Sequence, residues 1–142
     1  MVKEKSWINR NQRKNLRDII PLETPLSLEV EPTGYCNFQC SYCNHSLCKE
    51  KQRPTKYLSL DLYKKFVSDA KEFPNKIKTV TLAGGGEPLL NNDIYEMISL
   101  TKEIANETCI LTNGSLLNKE RIHKLIDSGL DTLRVSLQGI CK

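Results

Sequence analysis

The chain alternates between two periods of apolar and polar residues. Leu26, Leu28 and Val30 alternate with polar neighbours, which is the period of a β-strand. Further along the chain, apolar residues recur at helical spacing in three segments, and a short run with strand character follows each of them. Strand and helix therefore alternate, and this order predicts an α/β fold with a parallel sheet.

The pattern predicts four strands and three helices. The strands are expected at about residues 26–30, 78–83, 108–112 and 132–137. Each helix follows a polar residue that can cap its N-terminus, namely Ser59, then Asn92 or Asp93, then Asn118, and Gly129 stands where the third helix should end. Helical spacing predicts buried faces made of Leu62, Phe66, Ala70 and Phe73 in the first helix, Ile94, Met97, Ile98, Thr101 and Ile104 in the second, and Ile122, Leu125 and Ile126 in the third.

Composition places the chain among folded, soluble proteins. Apolar residues make up 39% of the 142 residues and charged residues 27%, which excludes a disordered tail or a coiled coil. No apolar run approaches membrane length, so we expect no membrane partner. The N-terminus leads into no secretory signal, and six cysteines are too sparse for a disulfide scaffold, so we predict a cytoplasmic protein with reduced thiols.

Positive charge is concentrated at the N-terminus. Residues 1–17 hold six Lys or Arg and one Glu, a net charge of +5, whereas the whole chain has +4. Such an arm suits either a solvated extension or a contact with an acidic partner or nucleic acid. We favour the extension and expect no nucleic-acid partner, because Trp7 is the only aromatic residue there that could stack on a base. The predicted division is 1–25 as a basic N-terminal extension and connector, and 26–142 as one core.

Three cysteines, Cys36, Cys40 and Cys43, follow the first predicted strand at the spacing C-x₃-C-x₂-C. Three thiolates on tight turns can bind three irons of a [4Fe–4S] cluster and leave the fourth iron without a protein ligand. Two non-catalytic alternatives add Cys48 as a fourth ligand: an iron–sulfur electron-transfer module, and a zinc-binding module to which His45 could also contribute. The spacing argues against both, since paired C-x₂-C knuckles are typical of zinc sites and C-x₂-C-x₂-C runs of small ferredoxins.

The stretch from Glu31 to Cys43, EPTGYCNFQCSYC, resembles the signature of radical S-adenosylmethionine (SAM) enzymes. The resemblance implies that Cys36, Cys40 and Cys43 hold the cluster, that SAM chelates the open iron, and that Tyr42 lies beside the adenine. It also implies catalysis. An electron passing through the cluster cleaves SAM to methionine and a 5′-deoxyadenosyl radical, which takes a hydrogen atom from a substrate.

Other predicted strand ends resemble further motifs of the same family. The matching residues are Gly85, Gly86, Glu87 and Pro88 after the second strand, Asn113 after the third and Ser136 in the fourth. The resemblance implies that the GGEP-type motif binds the methionyl ammonium of SAM, that the asparagine lies near the cofactor, and that the serine approaches its ribose or carboxylate. Carboxyl ends of parallel strands share one edge, so these residues are expected to line one pocket. Gln138 departs from the family pattern, because many relatives carry Asp there.

The resemblance also implies partners and an incomplete barrel. Enzymes of this family take electrons from a low-potential donor such as flavodoxin or ferredoxin, and the loosely similar SPASM-type subgroup modifies peptides, proteins or cofactor precursors. A closed (β/α)₈ barrel takes about 250 residues, so four strands in this chain predict the truncated N-terminal half of a TIM-like barrel. The sequence assigns no role to His45, Cys48 or Cys141, and Cys109 is expected to be a small buried hydrophobic residue.

Overall fold

A computed structural model describes residues 15–43 and 56–137. Within these ranges the chain forms four strands, β1 (Ser27–Val30), β2 (Ile77–Leu82), β3 (Ala105–Thr112) and β4 (Thr132–Val135), and three α-helices, α1 (Leu60–Ala70), α2 (Ile94–Ile104) and α3 (Lys119–Asp127). Short 3₁₀ turns cover Leu16–Asp18 and Pro88–Leu90. The predictions made for residues 1–14, His45, Cys48, Gln138 and Cys141 lie outside the described residues.

The four strands form one parallel sheet in the order β1-β2-β3-β4. Val30 lies opposite Leu82, Leu82 opposite Ile110, and Ile110 opposite Leu133, so one row of apolar side chains crosses the sheet. The strand order follows the sequence, and right-handed crossovers then place the helices on one face. The carboxyl ends of all four strands therefore meet at one edge, as the α/β prediction requires.

The observed strands differ from the predicted ones mainly at their ends. β3 starts at Ala105, directly after the last residue of α2, and so is three residues longer than predicted. β4 ends at Val135, although the Ser136 amide still donates to Thr112 O at 2.9 Å and adds one more bond to the ladder. Cys109 is fully buried in β3, as predicted, and burial raises the pKa of its thiol.

Helix α1 follows its predicted face only in part: Ala70 is buried and Phe66 packs partly buried against the core, as predicted. Its buried residues are Tyr63, Val67 and Ala70. Leu62 is 56% exposed, and Phe73 lies beyond the end of the helix. Tyr63 takes the inward position because its ring is apolar and its hydroxyl meets the Thr101 hydroxyl of α2 at 2.5 Å. Burial raises the pKa of Tyr63 to about 12.

The other two helices follow the predicted faces to different degrees. Helix α2 buries all five predicted residues, so this prediction is confirmed. Helix α3 buries Leu125, but Ile122 and Ile126 are exposed, because no described element covers that side of α3.

None of the helices in the described ranges combines the length and apolarity that a membrane crossing needs.

Helix ends follow the predicted chemistry with one exception. Ser59 and Asn118 cap α1 and α3, and the Asn118 side chain accepts from Arg121 N at 2.8 Å. Gly129 follows α3 with φ +84°, a left-handed conformation that favours glycine. Asp93 stands at the cap position of α2 without a capping hydrogen bond.

Candidate functional site

Three connecting segments meet at the carboxyl edge of the sheet. They are the cysteine loop, which follows β1, the glycine turn (84–88), which follows β2, and the segment 112–115 at the end of β3. The Glu87 amide donates to Tyr35 O at 2.8 Å, and the Asn113 amide side chain donates to Asn37 Oδ1 at 2.8 Å. The structure therefore brings the motifs after β1, β2 and β3 into mutual contact.

The base of the cysteine loop is closed by hydrogen bonds between its two ends. Leu58 N donates to Pro32 O at 2.9 Å, and Gly34 N donates to Lys56 O at 3.0 Å. Buried Asn91 completes the closure, because its side-chain amide donates to Pro32 O at 2.8 Å and to Leu58 O at 3.0 Å. The first cysteine follows this closed base by two residues.

The glycine turn packs against the backbone that leads into the cysteine loop. A Cβ atom at Gly86 would lie 2.1 Å from Thr33 O and 2.5 Å from Tyr35 O, so no other residue fits there. The Gly85 amide donates to Glu31 Oε1 at 2.5 Å. Gly86 thus lets the backbone of the cysteine loop come close to the glycine turn.

Glu87 is almost fully buried, with 2% of its surface exposed. Its Oε1 accepts from Thr112 Oγ1 at 2.6 Å and from Leu89 N at 3.1 Å, and its Oε2 accepts from Asn113 N at 2.7 Å. The carboxylate therefore joins the glycine turn to the end of β3. Pro88, which is also buried, starts the 3₁₀ turn that presents Leu89 N to this carboxylate.

Asn113 faces the first cysteine across a small hydrogen-bonded group. Its Nδ2 donates to Asn37 Oδ1 at 2.8 Å and lies 4.0 Å from Cys36 Sγ. Its Oδ1 accepts from Ser115 N at 2.9 Å and from Ser115 Oγ at 2.7 Å. Asn37 Nδ2 donates in turn to Ser115 Oγ at 2.8 Å.

Tyr42 and Ser136 occupy more open positions. The Tyr42 ring is 58% exposed, and a hydrogen bond between its hydroxyl and Cys40 raises its pKa, with burial a smaller cause. Ser136 follows β4 at the same edge of the sheet, where its amide bonds to Thr112 O.

The three loop cysteines are partly exposed free thiols. The Cys43 amide donates to Cys40 O at 3.1 Å, which is the tight turn that the spacing predicts. Within residues 15–43 and 56–137, no three His, Cys, Asp or Glu side chains lie close enough to hold one metal ion. A [4Fe–4S] cluster makes a different demand, since each thiolate binds a separate iron, and three soft thiolates suit iron–sulfur chemistry. The fourth ligands considered for zinc, Cys48 and His45, lie outside the described residues.

A parallel β/α sheet that gathers free thiols, a glycine turn and an asparagine at its carboxyl edge is typical of cofactor-dependent α/β enzymes. The comparison with known proteins is more specific. Residues 30–142 match the Radical SAM superfamily, and the chain belongs to this family of enzymes.

Individual relatives agree with the family match. The chain is 33% identical over 116 residues to PqqA peptide cyclase of Bradyrhizobium diazoefficiens, covering 82% of this chain and 29% of that protein. It is 40% identical over 116 residues to the probable GTP 3′,8-cyclase of Methanococcus maripaludis, covering 80% of this chain and 37% of that protein. The chain thus spans about a third of the length of these curated relatives.

A solved structure supports the fold. The crystal structure of BtrN in complex with AdoMet and 2-DOIA aligns with a TM-score of 0.69 and 27% identity, covering 83% of this chain and 48% of BtrN. The α/β class with four parallel strands and three helices is therefore confirmed, and it corresponds to about half of a radical SAM enzyme.

Proposed function

We propose that this chain is the part of a radical SAM enzyme that binds a [4Fe–4S] cluster and SAM. The observation that carries the proposal is the contact between the cysteine loop, the glycine turn and Asn113 at one edge of the sheet. When bound, the cluster supplies the electron that cleaves SAM to methionine and a 5′-deoxyadenosyl radical, which takes a hydrogen atom from the substrate. The chain's own residues bind and orient these groups.

Cys36, Cys40 and Cys43 are the proposed cluster ligands. All three are free and partly exposed, so no disulfide has to break before iron binds. The alternative electron-transfer or zinc module needs Cys48 as a fourth ligand, and the match to the Radical SAM superfamily supports the family chemistry instead.

Gly85, Gly86, Glu87 and Pro88 are proposed to hold the SAM ammonium. A carboxylate has about four lone-pair sites, and three donors already use three sites of Glu87. Oε2 keeps one site for a further N–H donor. Because Glu87 is nearly buried, the ammonium can reach its carboxylate only by leaving water at the carboxyl edge of the sheet. Removal from water would strengthen the hydrogen bond between the ammonium and the carboxylate.

The remaining cofactor contacts are proposed for Tyr42, Asn113 and Ser136. Tyr42 offers an exposed ring on which the adenine can stack. Asn113 and Ser136 follow neighbouring strands at the same edge and are proposed to line the cofactor pocket, where the Ser136 hydroxyl can donate to the ribose or carboxylate. Residues 1–25 are proposed as an extension of a core that covers 26–142.

Substrate and electron donor are proposed from the relatives. PqqA peptide cyclase is named for a peptide, and a peptide or protein is our proposed substrate for this chain. A low-potential donor such as flavodoxin or ferredoxin is the proposed source of the electron, and a cytoplasmic location, where thiols stay reduced, suits both.

Anaerobic reconstitution with iron and sulfide tests the proposal. We expect the unaltered protein and the Cys109→Ala control to bind a cluster, because Cys109 is buried in β3, whereas Cys40→Ala should lose most of the bound iron. A Cys40→Ala protein with a full cluster would contradict the ligand assignment. Addition of SAM should change the electron paramagnetic resonance spectrum of the reduced cluster, and an unchanged spectrum would contradict SAM binding at the open iron.

A further inference from the structure

A ring of hydrogen bonds joins the cysteine loop to the end of β3. Its members are Asn37, Asn113 and Ser115, and each pair among them shares at least one bond of 2.7 to 2.9 Å. Asn37 directly follows Cys36, whereas Asn113 and Ser115 lie more than seventy residues further along the chain. The ring therefore ties the first thiol to a different strand.

The donors in the ring determine which way the Asn113 side chain points. The Ser115 backbone N–H can only donate, so the atom that it meets at 2.9 Å must be the Asn113 oxygen. The Asn113 Nδ2 then faces Asn37 Oδ1 and Cys36 Sγ. One of its two hydrogens serves Asn37, and the second is free to point at the sulfur, 4.0 Å from Nδ2.

An N–H group beside a thiolate ligand favours the more negative state of a cluster. Reduction adds an electron that is shared with the sulfur atoms, so a donor to sulfur stabilises the reduced cluster and raises its potential. We propose that the Asn113 amide donates to Cys36 Sγ in the loaded protein and raises the reduction potential of the cluster, with Asn37 and Ser115 as positioning residues. This inference rests on the proposed cluster site.

The orientation of the Asn113 amide depends on residues from two segments of the fold, and not on the cysteine motif alone. Asn37 Oδ1 holds one hydrogen of the Asn113 amide, while Ser115 holds its oxygen at two points, so rotation of the amide would break three bonds. Asn37 and Ser115 are exposed to solvent, and their influence on the cluster passes through the orientation of Asn113.

The test is the midpoint potential of the reconstituted cluster, measured anaerobically without SAM by electron paramagnetic resonance. We expect Asn113→Ala to lower the potential, with a change of up to about tenfold in the ratio of oxidised to reduced cluster at a fixed potential, or about 59 mV for a one-electron couple. Ser115→Ala should shift the potential less in the same direction, Ser115→Thr should restore it, and the loop control Ser41→Ala should leave it unchanged.

The possible outcomes separate this inference from the proposed function. If the unaltered protein binds no [4Fe–4S] cluster, the proposed function fails. If it binds the cluster and Asn113→Ala keeps full iron at an unchanged potential, the donation to sulfur is overturned. A shift in Asn113→Ala without one in Ser115→Ala overturns the positioning role. Loss of iron from Asn113→Ala, in a protein with a normal circular dichroism spectrum, overturns the redox role in favour of a structural one.

Discussion

Replacement of Glu87 by glutamine should destabilise the fold although it changes neither volume nor shape. Glutamine can offer one oxygen to Thr112 Oγ1 and Leu89 N, but its NH₂ group then occupies the position of Oε2, 2.7 Å from Asn113 N. Two donors would face each other in a site that is 2% exposed. Rotating the amide only moves the conflict, because the NH₂ group then faces Leu89 N.

The size of the effect follows from the bonds that are lost. A buried donor without an acceptor costs about 1–3 kcal/mol, and hydrogen bonds to a charged group exceed those to a neutral one by about 1 kcal/mol. We therefore expect Glu87→Gln to lower the free energy of unfolding by about 2–4 kcal/mol. The control is Glu96→Gln, since Glu96 forms a half-exposed ion pair with Lys64 at 3.0 Å and should lose less than about 1 kcal/mol.

Urea unfolding of the three proteins without cofactor, followed by circular dichroism, measures both effects. The urea concentration at the unfolding midpoint should be lower for Glu87→Gln. The dependence of the unfolding free energy on urea should stay the same, because the surface area exposed on unfolding does not change. If Glu87→Gln and Glu96→Gln unfold at the same urea concentration, the hydrogen bonds of the buried Glu87 carboxylate to the end of β3 do not stabilise the fold.

Two other predictions concern the glycine turn and the helix packing. Gly86→Ala should cost at least about 3 kcal/mol or prevent folding, because its Cβ would overlap Thr33 O. Gly129→Ala, with φ +84° and only ordinary contacts to the Lys102 side chain, should cost about 1–2 kcal/mol; equal losses in thermal unfolding would refute the overlap. Tyr63 has a folded pKa of about 12 against 10.0 as its ordinary value, so the unfolded chain ionises first and stability should fall by about 2 kcal/mol between pH 10 and 12. Tyr63→Phe should remove that part of the fall, and identical pH profiles of unfolding would contradict the assignment.

Secondary structure was predictable where a local pattern, such as the apolar period of a helix or a capping residue, was not overridden by a contact with another element. Helix α2 follows its apolar period through all five buried residues, and Asn118 caps α3 as its position indicates. The buried face of helix α1 was predicted only in part, because Tyr63 counts as partly polar in a sequence, whereas in the fold its hydroxyl bonds to Thr101. Local patterns cannot show that such a partner exists on another helix.

In the candidate site, too, local motifs were predictable and contacts between distant segments were not. The cysteine spacing and the glycine run are local, so they could be found by reading the chain. The roles of Glu31, Asn37, Asn91 and Ser115 were missed, because each side chain bonds to a segment at least 33 residues away. Glu31 and Asn37 lie inside the stretch that carried the family resemblance, but that stretch says nothing about such distant partners. The buried state of Glu87 was likewise invisible, since a sequence does not reveal that three donors converge on one carboxylate.

The closed base of the cysteine loop predicts that folding does not depend on the proposed cluster. In small zinc domains the metal offsets the conformational entropy of ordering its ligands, so removal of the metal unfolds the chain. Here Asn91 and the backbone bonds between Pro32 and Leu58 already join the two ends of the loop without any metal. The entropy of bringing those ends together is thus offset by the protein's own hydrogen bonds, so we expect removal of iron from the proposed cluster site to leave this closure in place.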